Sequence, residues 1–180
     1  SRRVPPKKET ASLLGVCYDV VEVLVASLAC IVLLFTFLFR VVGVEGDSMM
    51  DTLYGGDRLI LCPALSSPDR GDIVVINRYT DEPLVKRVIG VAGDTLEIDE
   101  EQHKVRLNGE LLDEPYVQYP TPAYDMTGEV AVPEGYVFVM GDHRNDSHDS
   151  RAADIGLVPV DDIVGWAAFR IWPPQRIGIL

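Results

Sequence analysis

Between Val23 and Phe39 the chain runs for seventeen residues, VLVASLACIVLLFTFLF, without a single charge. Taken out to Val20 and Val42 the run has 23 residues, about 34 Å as a helix against a hydrocarbon core of about 30 Å. Glu22 and Arg40 then fall near the two interfaces, where charge costs least. A cleavable secretory signal has a shorter apolar stretch, and Val41-Val42-Gly43 is a poor small-x-small cleavage site. A buried core helix would show a polar face, and this run has none. The sequence therefore predicts one N-terminal transmembrane helix over 20–42, a basic segment over 1–19 and a folded domain over 43–180.

Charge sets the orientation. Residues 1–40 carry Arg2, Arg3, Lys7, Lys8 and Arg40 against Glu9, Asp19 and Glu22, a net +2. The whole chain is at −12, so the remainder holds −14. The positive-inside rule keeps the N-terminus cytoplasmic and predicts a single-pass protein of the cell membrane with an extracytoplasmic domain. A domain this acidic repels phosphate backbones, so no nucleic-acid partner is expected; the lipid bilayer is. Cys17, Cys30 and Cys62 form no C-x-x-C spacing and say little about compartment.

Beyond Gly43 no window sustains a 3.6-residue period. Short β-branched runs recur instead, at 58–62, 72–77, 84–91, 95–98, 104–107, 136–140 and 163–169, with Gly, Asp, Asn and Pro turns between them. Asn108-Gly109 between Lys104–Leu107 and Glu110–Leu112 is a strong hairpin signal. The fold class read from this pattern is all-β, an open barrel or sandwich of short antiparallel strands. Residues 114–133, rich in Pro and Tyr, read as an irregular excursion.

Three segments carry candidate chemistry. Ser48 lies in Gly46-Asp-Ser-Met-Met-Asp-Thr-Leu53, just past the apolar run. A serine there can equally be a turn or cap residue. Met49 and Met50 beside it make a candidate apolar rim facing substrate or membrane. Lys86 shares one strand face with Leu84 and Val88, a poor place for a solvated charge. It is either a snorkelling edge lysine or a desolvated amine whose lowered pKa suits a general base. At an ordinary lysine pKa only about one side chain in 2,500 is neutral at pH 7, so burial has to supply the shift. The third segment, Gly141-Asp-His-Arg-Asn-Asp-Ser-His-Asp-Ser-Arg151, reads as a packed polar network, a solvated loop or a metal site. For the last, Asp142, His143, His148 and Asp149 are competent ligands. No mechanistic spacing such as H-x-x-x-H supports a metal, and Arg144 and Arg151 would oppose one. No metal and no cofactor are expected.

In this order the three segments resemble the type I signal peptidases, in their compact form. That family has a Ser-Met motif after the anchor, a Lys-Arg pair in a strand ahead of a Gly-Asp turn, and a late Gly-Asp-x-Arg-x-x-Ser-x-Asp-Ser-Arg segment. Here they are Gly46-Asp-Ser48-Met49, Lys86-Arg87 ahead of Gly93-Asp94, and Gly141–Arg151. The resemblance covers residues 1–170. It implies a serine endopeptidase that removes signal peptides from exported precursors, acting as a monomer. Ser48 would be the nucleophile and Lys86 its general base, with the Ser48 main-chain N–H stabilising the oxyanion. By the same resemblance Ser147 would hold the amine, and Asp149, Arg151 and Asp142 would support it. Asp51 stands where the family frequently has Pro, and His143 and Asp146 where it frequently has Asn. Gly46 replaces a serine that serves some members as an oxyanion donor. A Ser–Lys pair needs no histidine, so loss of His143 or His148 is expected to be tolerated better than loss of Ser147. Two rivals are a self-cleaving repressor-type protease, which would need a soluble DNA-binding head, and an inactive membrane-anchored binding module.

Overall fold

The computed structural model describes residues 13–38, 40–63, 67–77 and 83–180, and divides the chain into two units, 1–38 and 39–180. Arg2, Arg3, Lys7 and Lys8, which carry the orientation argument, lie outside the described residues.

The first unit contains one helix, α1 (Leu13–Leu38). Its large apolar side chains are exposed between Val16 and Leu33, Val20 and Leu28 among them. Residues Gly15–Leu33 form a stretch long and apolar enough to cross a membrane. The one hydroxyl mid-way, Ser27, is satisfied internally by the Val23 carbonyl at 2.7 Å. The helix differs from the expected 20–42 at both ends. It starts earlier because Asp19 and Glu22 bound the hydrocarbon stretch without breaking a helix. It stops at Leu38, and residues 40–42 are strand: the β-branched Val41 and Val42 extend and pair with Ile60 and Leu59.

The second unit is all-β, as the turn spacing predicts. Its strands are β1 (Arg40–Gly43), β2 (Arg58–Pro63), β3 (Ile73–Ile76), β4 (Leu84–Gly90), β5 (Thr95–Asp99), β6 (Lys104–Leu107), β7 (Glu110–Leu111), β8 (Val130–Ala131), β9 (Tyr136–Met140), β10 (Val158–Pro159), β11 (Ile163–Trp172) and β12 (Gly178–Ile179). The main sheet runs β1-β2-β11-β3-β4-β9-β10, with β12 added on β11, and every pair is antiparallel. It is an open, curled sheet: among the described residues its ends do not pair. A second sheet, β7-β6-β5-β8, contains the Asn108-Gly109 hairpin, where both turn residues have positive φ, as a type I′ turn requires.

The core explains why some strands lack clean alternation. All four residues of β3 are buried, with Ile73 and Val75 in one apolar cluster and Val74 and Ile76 in another. Strand β9 is likewise covered on both faces: Val137 and Val139 join the cluster of Val74 and Val88, while Phe138 and Met140 pack onto the second sheet at Leu96 and Val105. Double coverage makes β9 a rigid rod, and the loop 141–151 emerges from its end. The exposed face of the main sheet carries an apolar row in register, Val41–Ile60–Phe169–Ile179, with Val41 and Ile179 open to solvent.

Candidate active site

The turn bearing Ser48 is built by what lies on either side of it. Val44, Met49 and Leu53 are buried in the cluster that includes Leu59 and Val85, pinning the chain before and after the serine. Between them Gly46 takes φ +73°, a conformation that strains any residue with a Cβ. The turn closes with Met50 N–H to the Asp47 carbonyl at 3.0 Å and Leu53 N–H to the Met49 carbonyl at 2.8 Å. Ser48 is left half-buried on the outside of the turn. Met49 is not a rim residue: it is 1% exposed, because this turn points it into the core. Met50 is half-buried.

Lys86 sits mid-way along β4, on the face it shares with Leu84 and Val88, and is 2% exposed. Its Nζ lies 2.6 Å from Ser48 Oγ. Burial pulls the ammonium's pKa down, the positive Arg151 adds to the effect, and the Asp149 and Asp142 carboxylates oppose it. The net value is lowered to about 8. At that value about one amine in ten is neutral at pH 7, against roughly one in 2,500 for a free lysine.

The loop after β9 is a packed network. Asp142 receives Arg87 in a bidentate pair, Nε at 2.9 Å and Nη2 at 2.6 Å, and accepts the Thr52 hydroxyl at 2.5 Å. Thr52 belongs to the Ser48 turn, so this carboxylate ties that turn to β4. Asp149 is bidentate to Arg151 at 2.8 and 2.7 Å and accepts the Gly141 N–H at 3.0 Å. Burial alone would raise the Asp149 pKa; the guanidinium and that N–H outweigh it and hold the carboxyl below its usual range. Gly141 is required here for space. A Cβ on it would lie 2.2 Å from Ser147 Oγ and 2.3 Å from the Ser48 carbonyl oxygen. Ser147 Oγ is buried and has no partner in normal hydrogen-bond geometry, yet its hydroxyl lies near enough to Asp149 to act on that carboxyl as a weak hydrogen-bond donor and help hold its pKa down.

The four ligand candidates do not converge. Asp142 and Asp149 face guanidinium groups, His143 turns to the Ser48 loop, and His148 pairs with Asp154 at the surface. Among the described residues no three His, Cys, Asp or Glu side chains group to hold a metal ion.

A family model for signal peptidase, peptidase S26, matches residues 17–172. The chain belongs to that family. A probable signal peptidase I-2 from Synechocystis is 38% identical over 155 residues, spanning 81% of this chain and 68% of the relative. Signal peptidase I S of Bacillus subtilis is 34% identical over 179 residues, spanning 93% and 95%. A solved signal peptidase I from Enterococcus faecalis is 28% identical and covers 56% of this chain and 97% of its own, with a TM-score of 0.47. As a signal peptidase I, this chain is a serine endopeptidase that removes signal peptides from precursor proteins, and α1 fits a membrane anchor.

Several residues that build the signal peptidase site are not marked by the sequence motifs as partners of the pair. Arg87 and Thr52 flank it and clamp Asp142. Arg144, wholly buried, is bidentate to Glu114 at 2.7 and 2.5 Å and also donates to the Gly141 carbonyl at 3.1 Å. The tyrosines of the excursion cover the network: Tyr116 under Arg87 at 4.1 Å, Tyr119 against His143 at 4.2 Å and Tyr124 under Arg151 at 4.4 Å. Their density between 114 and 124 is the one sequence signal for this cover, since cations and aromatics attract face to face.

Proposed function

We propose that Ser48 is the nucleophile that cleaves the signal peptide and Lys86 its general base. The observation that carries this reading is the 2.6 Å contact between Nζ and Oγ with the amine buried. Neutral Lys86 takes the Ser48 hydroxyl proton as Oγ adds to the scissile carbonyl carbon. The resulting oxyanion lies against the Ser48 main-chain N–H, which has no protein acceptor among the described residues. The ammonium of Lys86 then returns the proton to the leaving amine, giving an ester on Ser48 and the mature protein's free N-terminus. Water, deprotonated by the same amine, hydrolyses the ester. Asp149–Arg151 and Asp142–Arg87 hold the loop and the strand around the amine, and Ser147 presents its unpaired hydroxyl beside the pair. Both members of the dyad come from one chain, so a monomer suffices.

The same reading places residues before α1 in the cytoplasm, α1 across the membrane and 43–180 outside. The charge asymmetry supports it, and the apolar row Val41–Ile60–Phe169–Ile179 gives the outer domain a surface suited to lipid. Cleavage of a precursor with an Ala-x-Ala site tests the dyad: wild type should cut it, and Ser48→Ala and Lys86→Arg should not. Near-normal turnover by either variant overturns the assignment. Protease added to intact spheroplasts should digest the domain; protection there with digestion in inside-out vesicles reverses the orientation.

A further inference from the structure

His143 makes two contacts with the nucleophile turn. Its main-chain N–H donates to the Ser48 carbonyl at 3.1 Å, and its ring Nδ1 lies 3.1 Å from the Asp47 carbonyl oxygen. A carbonyl can only accept, so Nδ1 carries the proton. The ring is set by Tyr119, tilted against it at 34° with centroids 4.2 Å apart. The Asp47 carbonyl and the Ser48 N–H belong to one planar peptide unit and point to opposite sides of it. Whatever orients the Asp47 oxygen therefore orients the Ser48 N–H, and a donor on that oxygen also polarises the N–H.

We propose that His143 is a positioning residue for the oxyanion donor. Through Nδ1–H it adds a second donor, beside the Met50 N–H, to the Asp47 oxygen and so helps fix and polarise the Asp47–Ser48 peptide, with Tyr119 against the ring. This rests on Ser48 being the nucleophile. It also separates the two histidines, both expected to be tolerated better than loss of Ser147: among the described residues His148 pairs with Asp154 at the surface and not with the turn.

The oxyanion exists only along the reaction path, so the effect belongs in kcat and not in KM. His143→Phe keeps a ring for Tyr119 but has no donor, and kcat should fall about tenfold with KM unchanged. His143→Asn puts an amide N–H close to the Nδ1 position and should recover most of the loss. Affinity for a peptide aldehyde, whose adduct carries the oxyanion, should fall in step with kcat, while affinity for an uncleavable peptide should not. If His143→Phe does not fold, His143→Ala takes its place in the comparison with His143→Asn. Undiminished kcat in the variant lacking the donor overturns the proposal. So does a loss that falls equally on KM and is not recovered by His143→Asn. Ser48→Ala and Lys86→Arg measured alongside separate the two failures: activity in either sinks the dyad itself, whereas inactivity in both with full activity in His143→Phe sinks only the role of His143.

Discussion

Lys86 lies directly across the β3–β4 ladder from Val74, a residue with no solvent exposure. Cross-strand partners share a face, so the Lys86 stem runs beside the apolar Val74, Ile76 and Val88, and its amine meets Ser48 Oγ within the fields of Asp149, Arg151 and Asp142. That placement suits Lys86 to the proposed role of base and costs stability. A pKa lowered from 10.5 to about 8 corresponds to about 3 kcal/mol against the folded state wherever both states are protonated. Lys86→Met should therefore be inactive yet more stable at pH 7. The sign follows from proton counts. Below about pH 8 both states hold the proton and the penalty is complete. Between about 8 and 10.5 the unfolded chain holds more protons than the folded one, so wild type gains stability with rising pH. Urea melts across that interval should show the gap between Lys86→Met and wild type closing as pH rises.

The same shift predicts the pH profile. The acid limb of kcat/KM reports the free enzyme's essential base, so activity should rise with pH to an inflection near pH 8. A carboxylate base would put that limb several units lower. Steady-state rates on a precursor peptide from pH 5 to 10 decide between them.

How much of the fold and site is legible in the sequence depends on the distance over which it has to be read. Strand alternation is local, and by itself it puts Lys86 on an apolar face. The Asn108-Gly109 hairpin is equally local. The short strands β8, β10 and β12 leave no such signal, because two residues carry no period. The rim expected at Met49 fails because the direction of a side chain on a tight turn is set by the turn, not by alternation. The pairs Arg87–Asp142 and Arg144–Glu114 join residues 55 and 30 positions apart, so nothing local announces them. The loop 141–151 reads as dense and polar. Only its partners reveal that Asp142, Arg144, Asp149 and Arg151 are buried.

Ser147 offers a test in which stability and activity part company. Its hydroxyl is buried and makes no well-formed hydrogen bond, only a weak approach to Asp149, so Ser147→Ala should leave the melting temperature unchanged or raised. If the hydroxyl orients the Lys86 amine during turnover, kcat should still drop, and calorimetry beside kinetics on one preparation shows both. A fall in melting temperature would mean that Ser147 is bonded in the resting enzyme.

Gly141 should tolerate nothing larger. Its added Cβ would meet the Ser48 carbonyl at 2.3 Å, a backbone atom that cannot swing aside. Gly141→Ala must then displace the Ser48 turn, and kcat should fall far more than stability does. A Gly165→Ala variant is the useful comparison. It meets the Cys62 carbonyl at the same 2.3 Å within the β2–β11 ladder, so it should cost stability first.

Arg144 and Glu114 hold the tyrosine-rich excursion against the loop 141–151, and their pairing tests how far that excursion supports the site. Side-chain exposure is 0% for Arg144 and 6% for Glu114, so neither charge can turn to water if its partner is removed. Breaking such a pair from one side costs about 3–5 kcal/mol. For a chain of this size that is a fall of roughly 10 °C in melting temperature. Glu114→Ala should show it, and should also loosen Tyr116 from Arg87, since Tyr116 donates its hydroxyl to Glu114 at 2.9 Å. Replacing both charges, as in Glu114→Leu with Arg144→Met, removes the uncompensated ion and should recover much of the lost stability. Activity should not return with it, because Arg144 also donates to the Gly141 carbonyl, and the loop's hold on the Ser48 turn begins there. Recovery of both melting temperature and kcat in the double variant would show that the pair serves the fold alone.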